Sequence, residues 1–243
     1  ILSGLVGSEM CIRDRIIPRE RYAEYIFQLA LLGATLEKIA VEIRNLQRTE
    51  IAEVSEHFKK GQMGSSAVPT KRNPIKSERI SSLSKLLRSQ ISISFENIPL
   101  WHERDLSNSA NERFTLPMTS ILLDEMIETM TKIIENLQVD TKRVQKNLHI
   151  TKGQIFAEFV LEALIKKGVP RFEAYRDVQR VAFDAHKKGI DYLTAIKNDK
   201  LTSSNLSNKE IESIFVAEKH LGASLAIIDN VYSHVKANAK KFS

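Results

Sequence analysis

The sequence predicts an all-α protein, and two observations carry that prediction. Apolar residues recur at helical spacing along most of the chain. The helix-breaking residues are few, nine Gly and six Pro among 243. Past residue 15 nearly all of them fall where the spacing lapses: Pro18, Gly61, Gly64, Pro69, Pro74, Pro99, Pro117, Gly153, Gly168, Pro170 and Gly189. Only Gly33 and Gly222 sit inside helical patterns.

Residues 1–15, ILSGLVGSEMCIRDR, lack a basic stretch followed by an apolar run and do not read as a signal peptide. They resemble translated sequencing-adapter sequence and are set aside as a non-native leader. A first helix is expected over residues 19–58, with Ile26, Leu29, Leu32, Leu36, Ile39, Ile43 and Leu46 on its stripe. At about 1.5 Å per residue such a helix would run about 60 Å, too long to be covered by a small domain, so a long bundle shared between subunits is expected. A polar loop follows over residues 59–74. A second helix is expected over 75–97, with Ile80, Leu83, Leu87 and Ile91 on one stripe, ended by Pro99.

The polar segment after Pro99 carries Ser109 and Glu112 at the spacing of a capping box, which predicts a short helical turn; Trp101 in the same segment is expected to pack. A third amphipathic helix is expected over 118–137, carrying Leu123, Met126, Ile127, Met130 and Ile134. Asp140 is a natural N-cap, and beyond it the pattern shortens to helices over 141–149, 154–167, 171–188, 208–218 and 221–239. This change of period places a domain boundary near residue 138.

Composition bounds the function. With 42% hydrophobic and 27% charged residues the chain is of ordinary soluble type. A single cysteine, Cys11, excludes an internal disulfide framework and a cysteine-rich metal site and fits the cytosol. No apolar run approaches the roughly 20 residues that span a bilayer. The net charge of +6 admits three readings: a nucleic-acid partner, attraction of anionic small molecules, or a solvated surface, the last favoured by the interleaving of Lys and Arg with Glu and Asp. The six histidines, His57, His102, His149, His186, His220 and His234, show no metal-ligand spacing.

The chemistry concentrates in residues 64–74. Gly64, Ser65 and Ser66, then Lys71 and Asn73, put hydroxyls, backbone N–H groups, an ammonium and an amide in one loop, a set able to surround an anion or a developing oxyanion. By composition alone a mobile interhelical connection explains the loop equally well.

As a motif, Gly64-Ser65-Ser66-Ala67-Val68-Pro69-Thr70-Lys71-Arg72-Asn73-Pro74 resembles the signature loop of the fumarase/aspartase superfamily, G-S-S-x-M-P-x-K-x-N-P, with Val68 where methionine is usual. RYAEY near Arg21, EIRNLQRTEIAEV before the loop, KRNPIKSER within it and WHERDLSNSANER after it are similar to the adenylosuccinate lyase family. The resemblance implies that residues 16–138 are the C-terminal part of a central helical-bundle domain and 139–243 a small helical C-terminal domain. It further implies a homotetramer with active sites shared between subunits, no cofactor, no metal, and neither nucleic acid nor membrane as partner. The implied reaction is β-elimination of fumarate from a purine nucleotide succinyl adduct, adenylosuccinate, and from the succinylocarboxamide imidazole ribotide of an earlier purine-pathway step.

By the same resemblance Ser65 is the catalytic base, and Ser66, Lys71, Arg72 and Asn73 bind the substrate carboxylate and the charge that builds after proton loss. Glu78 supports the site and Arg79 binds substrate, against a plain alternative of an exposed ion pair. Arg104, Ser109 and Arg113 match positions that hold the nucleotide phosphate, chemistry suited to guanidinium groups, while Ser109 equally suits a helix cap. The family's catalytic histidines lie upstream of this stretch, and its substrate-binding glutamine would fall near position 15, so the chain alone is expected to be inactive. Competing readings are another superfamily member, such as carboxymuconate cycloisomerase or argininosuccinate lyase, and a non-catalytic helical scaffold. The first two have no nucleotide phosphate for Arg104 and Arg113 to hold, and a scaffold has no use for Ser65, Lys71 and Asn73 together.

Overall fold

The computed structural model describes residues 17–58, 61, 67–102 and 105–239; the leader set aside at residues 1–15 lies outside them. The fold is all-α, with ten α-helices among the described residues and one antiparallel pair of two-residue strands. Two compact units divide between Val144 and Gln145.

The first unit is built on α1 (Arg19–Leu46), α2 (Ile75–Glu96) and α3 (Ser109–Glu135), each packed on the other two. Their shared core holds Ala30, Ala40, Ile43, Ile80, Leu87, Leu123, Met126, Met130 and Ile133. Gly33 lets α1 and α2 approach: a Cβ built there would lie 2.4 Å from Leu87 Cδ2. The buried face of α2 is half serine, Ser77, Ser81, Ser84 and Ser94, a small polar lining that apolar periodicity does not reveal. Ser81 and Ser94 donate their hydroxyls back onto Ser77 O and Ile91 O, and Ser81 Oγ also accepts from Arg44 of α1 at 3.2 Å.

The helix expected over residues 19–58 ends at Leu46, so α1 is about 42 Å long at about 1.5 Å per residue. The chain turns instead. Ala52 N donates to Arg48 O at 2.7 Å, Glu53 N donates to Leu46 O at 3.1 Å, and Ala52 takes a left-handed φ of 51°. Arg143 holds this turn from a distance in sequence, its guanidinium donating to Ile51 O at 2.9 Å and Glu50 O at 2.7 Å. The chain then enters β1 (Val54–Ser55), which pairs antiparallel with β2 (Gln138–Val139) in the register Val54 with Val139.

Around α3 the structure differs from expectation again. The short turn and the third helix are one helix that runs through Pro117. Proline removes the bond to the carbonyl of Arg113 four residues back, and because both residues are exposed, solvent can take that carbonyl. No capping box forms at Ser109: Asn108 holds the cap position and its amide donates to Glu112 Oε1 at 2.9 Å, while Glu112 also pairs with Arg19 at 2.9 Å. Asn97 at the end of α2 and Asn111 on α3 exchange amide hydrogen bonds of 2.7 and 2.8 Å. Asp140 caps α4 (Thr141–Leu148) as expected, accepting from Arg143 N at 2.9 Å.

The second unit contains α5 (Ala157–Lys166), α6 (Arg171–Lys188), α7 (Tyr192–Asn198), α8 (Lys200–Asn205), α9 (Asn208–Ile214) and α10 (Ser224–Ala239). Val160, Leu164, Ala174, Val178, Val181, Tyr192, Ile196 and Ile211 are among its core. α7 and α8 are additional to the expected helices; each starts at an aspartate, Asp191 accepting from Thr194 N at 3.2 Å and Asp199 from Thr202 N at 3.0 Å. Asp199 and Asp177 both hold Arg180. Burial and the neighbouring Asp199 raise the Asp177 carboxyl above its ordinary range. No helix among the described residues is long and apolar enough to cross a membrane.

Candidate active site

A cleft of about 1180 Å³ opens in the first unit where the end of α1, the turn after it, the strand pair and the start of α2 meet. Lys71, Arg72, Asn73 and Glu78 all line it, as do Arg44, Arg48 and Lys142. The sequence therefore assembles four of its expected site residues in one place. Ser65, Ser66 and Arg104 lie outside the described residues.

The loop enters α2 through a proline, and this sets a capping problem. Pro74 sits at the N-cap position with no side chain to offer the first-turn amides. Glu56, 6% exposed, solves it from outside the helix. Its Oε1 accepts from Ser77 N at 2.7 Å and from Ser77 Oγ at 2.6 Å, and its Oε2 accepts from Lys76 N at 3.3 Å. Ile75 N donates to Asn73 O, and Glu78 N to Pro74 O, both at 2.9 Å, so the whole first turn is satisfied. Glu56 N donates to Gln47 Oε1 at 2.9 Å, and Gln47 Nε2 donates to Arg72 O at 2.9 Å. The Arg72 guanidinium lies 5.8 Å from the centre of the Phe58 ring.

Gln47 and Glu56 are the residues that reading the sequence missed. A helix drawn through residue 58 puts both on one rod, whereas the reversal after Leu46 brings them face to face. A signal was present: a proline at the cap position needs an acceptor from elsewhere, and VSEH offers one.

Three expected residues are not brought to the cleft within one chain. Arg79 pairs with Glu125 of α3 at 2.9 Å, its side chain 60% exposed. Ser109 is half-buried at the first position of α3, and Arg113 is exposed one turn on. Trp101, expected to pack, is exposed. Its backbone N–H donates to Asp105 Oδ2 at 2.7 Å, and Ser107 N and Oγ donate to Asp105 Oδ1 at 2.8 and 2.5 Å. These bonds, led by the Ser107 hydroxyl, hold the Asp105 carboxyl below its ordinary range and organise the turn before α3.

The family profile described as Lyase matches residues 3–86, which includes the loop and reaches into the stretch 1–15 expected to be foreign, and the profile described as Adenylosuccinate lyase C-terminus matches residues 153–231. Among solved structures, a 3-carboxy-cis,cis-muconate lactonizing enzyme from Pseudomonas putida superposes with a TM-score of 0.79 at 26% identity, over 90% of this chain and 49% of its own. A fumarate lyase from Mesorhizobium, at 23% identity and a TM-score of 0.76, shares the fold over 88% of this chain and 47% of its own. Fold and loop thus place the chain in the fumarase/aspartase superfamily.

Sequence relatives narrow this further. An adenylosuccinate lyase of Pyrococcus abyssi is 42% identical over 93% of this chain and 50% of its own length. Those of Synechocystis and Thermotoga maritima are 45% and 44% identical, over 85% and 84% of this chain and 48% and 47% of their own lengths. The chain belongs to the adenylosuccinate lyase family, and it spans about half the length of these relatives.

Proposed function

We propose that this chain contributes the signature-loop part of a lyase that eliminates fumarate from adenylosuccinate, leaving AMP, and from the succinylocarboxamide imidazole ribotide. One observation carries the reading: the motif residues Lys71, Arg72 and Asn73 line a cleft, with Arg72 O bonded to Gln47 and Ser77 N bonded to Glu56 on either side of Asn73. The 41–45% identity to adenylosuccinate lyases favours this substrate over a muconate-type one.

In this reading Ser65 Oγ takes the proton from the carbon beside the substrate carboxylate. The electron pair left behind spreads onto that carboxylate, where Lys71 and Asn73 stabilise it without a metal. The carbon–nitrogen bond then breaks, the pair returns as the double bond of fumarate, and the purine nitrogen takes a proton from an acid elsewhere in the lyase. A hydroxyl is a weak base, so its reactivity depends on how the loop is held.

The lining of the cleft supports sharing between subunits. Arg44, Arg48, Lys71, Arg72 and Lys142 face Glu50, Glu53, Glu78 and Asp140, nearly neutral overall. A substrate with a phosphate and two carboxylates needs more cations than that, and Arg79, Arg104 and Arg113 of another copy would supply them. Exposed apolar side chains along all three bundle helices, Leu31 and Ile39 on α1, Phe95 on α2, Phe114 and Ile121 on α3, suit burial in a homotetramer. The reading places the enzyme in the cytosol.

The test is fumarate release by the full-length protein given adenylosuccinate, beside Ser65→Ala. We expect release from the wild type, and from the variant nearly intact binding with turnover lower by orders of magnitude. Absence of release overturns the function, and variant turnover within about threefold of wild type removes Ser65 from the mechanism.

A further inference from the structure

A single line of hydrogen bonds straddles the part of the loop that carries Asn73. It starts at Arg72 O, passes through the Gln47 amide to Glu56 N, and ends with the Glu56 carboxylate on Lys76 N, Ser77 N and Ser77 Oγ. Both sides of Asn73-Pro74 are therefore indexed to one another through residues from the end of α1 and the far side of β1. Glu56 is buried, and those donors meet both of its carboxylate oxygens.

We infer that Gln47 and Glu56 are positioning residues that set Lys71 and Asn73 in register with the cleft; the inference deepens the lyase reading and rests on it for the kinetic arm of its test. The geometry also assigns the helix end. The amides of Lys76 and Ser77 would otherwise form an anion site at the positive end of α2, but Glu56 already fills it. A substrate carboxylate is thereby left to the loop's own groups, Lys71, Arg72 and Asn73 among them.

The decisive variant is Gln47→Glu in the full-length protein. Its carboxylate still accepts from Glu56 N but has no hydrogen to give Arg72 O and repels it. Amide hydrogen exchange over residues 67–78 should rise by about tenfold or more, with residues 157–188 unchanged. Fumarate release should lose about 10- to 100-fold in kcat with a smaller change in KM, because misplacing a charge-stabilising group costs the transition state most. Glu56→Gln, which keeps one acceptor for Ser77, should fall between wild type and Glu56→Ala in both measurements. Unchanged exchange over 67–78 overturns the inference whether or not the wild type releases fumarate. Raised exchange with kcat within about threefold of wild type also overturns it, since the bonds would then be structural only. A wild type that releases no fumarate defeats the lyase reading separately, and the exchange result still decides whether the loop is held as described.

Discussion

Replacing Gly33 with alanine tests the packing that brings α1 against α2. The new Cβ would stand 2.4 Å from Leu87 Cδ2, about 1 Å inside the ordinary contact range of 3.4–4 Å. Leu87 cannot swing clear, since it is fully buried and Met126 Cε lies 3.6 Å from the same point. The helices must separate or Leu87 must leave its rotamer, at a cost of about 1–3 kcal/mol. Alanine returns about 0.5–1 kcal/mol of helix propensity. The balance is a loss of up to about 2.5 kcal/mol in urea unfolding followed by circular dichroism at one fixed protein concentration. A cycle with Leu87→Ala sharpens the test. That change alone should cost about 2–5 kcal/mol, and the double variant should cost less than the sum by about 1–3 kcal/mol because the new methyl fills space that leucine vacates. Stabilisation by Gly33→Ala, or additivity within about 0.5 kcal/mol, would refute the close approach.

Three further outcomes are expected. The Lys167 ammonium, followed by the Ser207 N–H and hydroxyl, lowers Glu210 from 4.5 to about 2; a depressed carboxylate stabilises the fold above its unfolded value and loses that contribution as pH falls through the folded one, so Glu210→Gln should flatten the decline of Tm between pH 4.5 and 2, and an unaltered curve refutes the pairing. Arg104→Ala or Arg113→Ala should weaken AMP binding by about 1.5–3 kcal/mol in calorimetry and fumarate binding much less, and equal losses would mean these arginines read the dicarboxylate. Leu31→Asp with Ile121→Asp, at side chains exposed in one chain, should dissociate the assembly in sedimentation with helix content retained; a wild-type monomer at micromolar concentration contradicts the shared bundle.

What the sequence made legible was local and periodic. α2 was expected over residues 75–97 and runs Ile75–Glu96, because its loop and Pro99 bracket it unambiguously. The loop motif brought Lys71, Arg72 and Asn73 forward as candidates, and all three line one cleft. The failures have a common cause in contacts distant along the chain. α1 stops at Leu46 because a turn held by Arg143 competes with further helix, and no residue near position 46 announces that. Pro117 reads as a breaker, yet exposure of the freed carbonyl makes it tolerable. α7 and α8 are short enough that their aspartate caps, not their apolar period, define them. Glu56 was invisible for the same reason: a cap supplied from outside a helix leaves no mark at the helix start.

α10 has a different relation to the fold from every other long helix. Its sixteen residues bury nothing, and Leu225, Ile228, Tyr232 and Val235 all face solvent in the single chain. Helices of this length are marginal in water without a packed face. Under gentle proteolysis the region around Gly222 should therefore be nicked well before the core that holds Tyr192 and Ile196 opens, trimming the chain to a shorter domain of undiminished melting temperature.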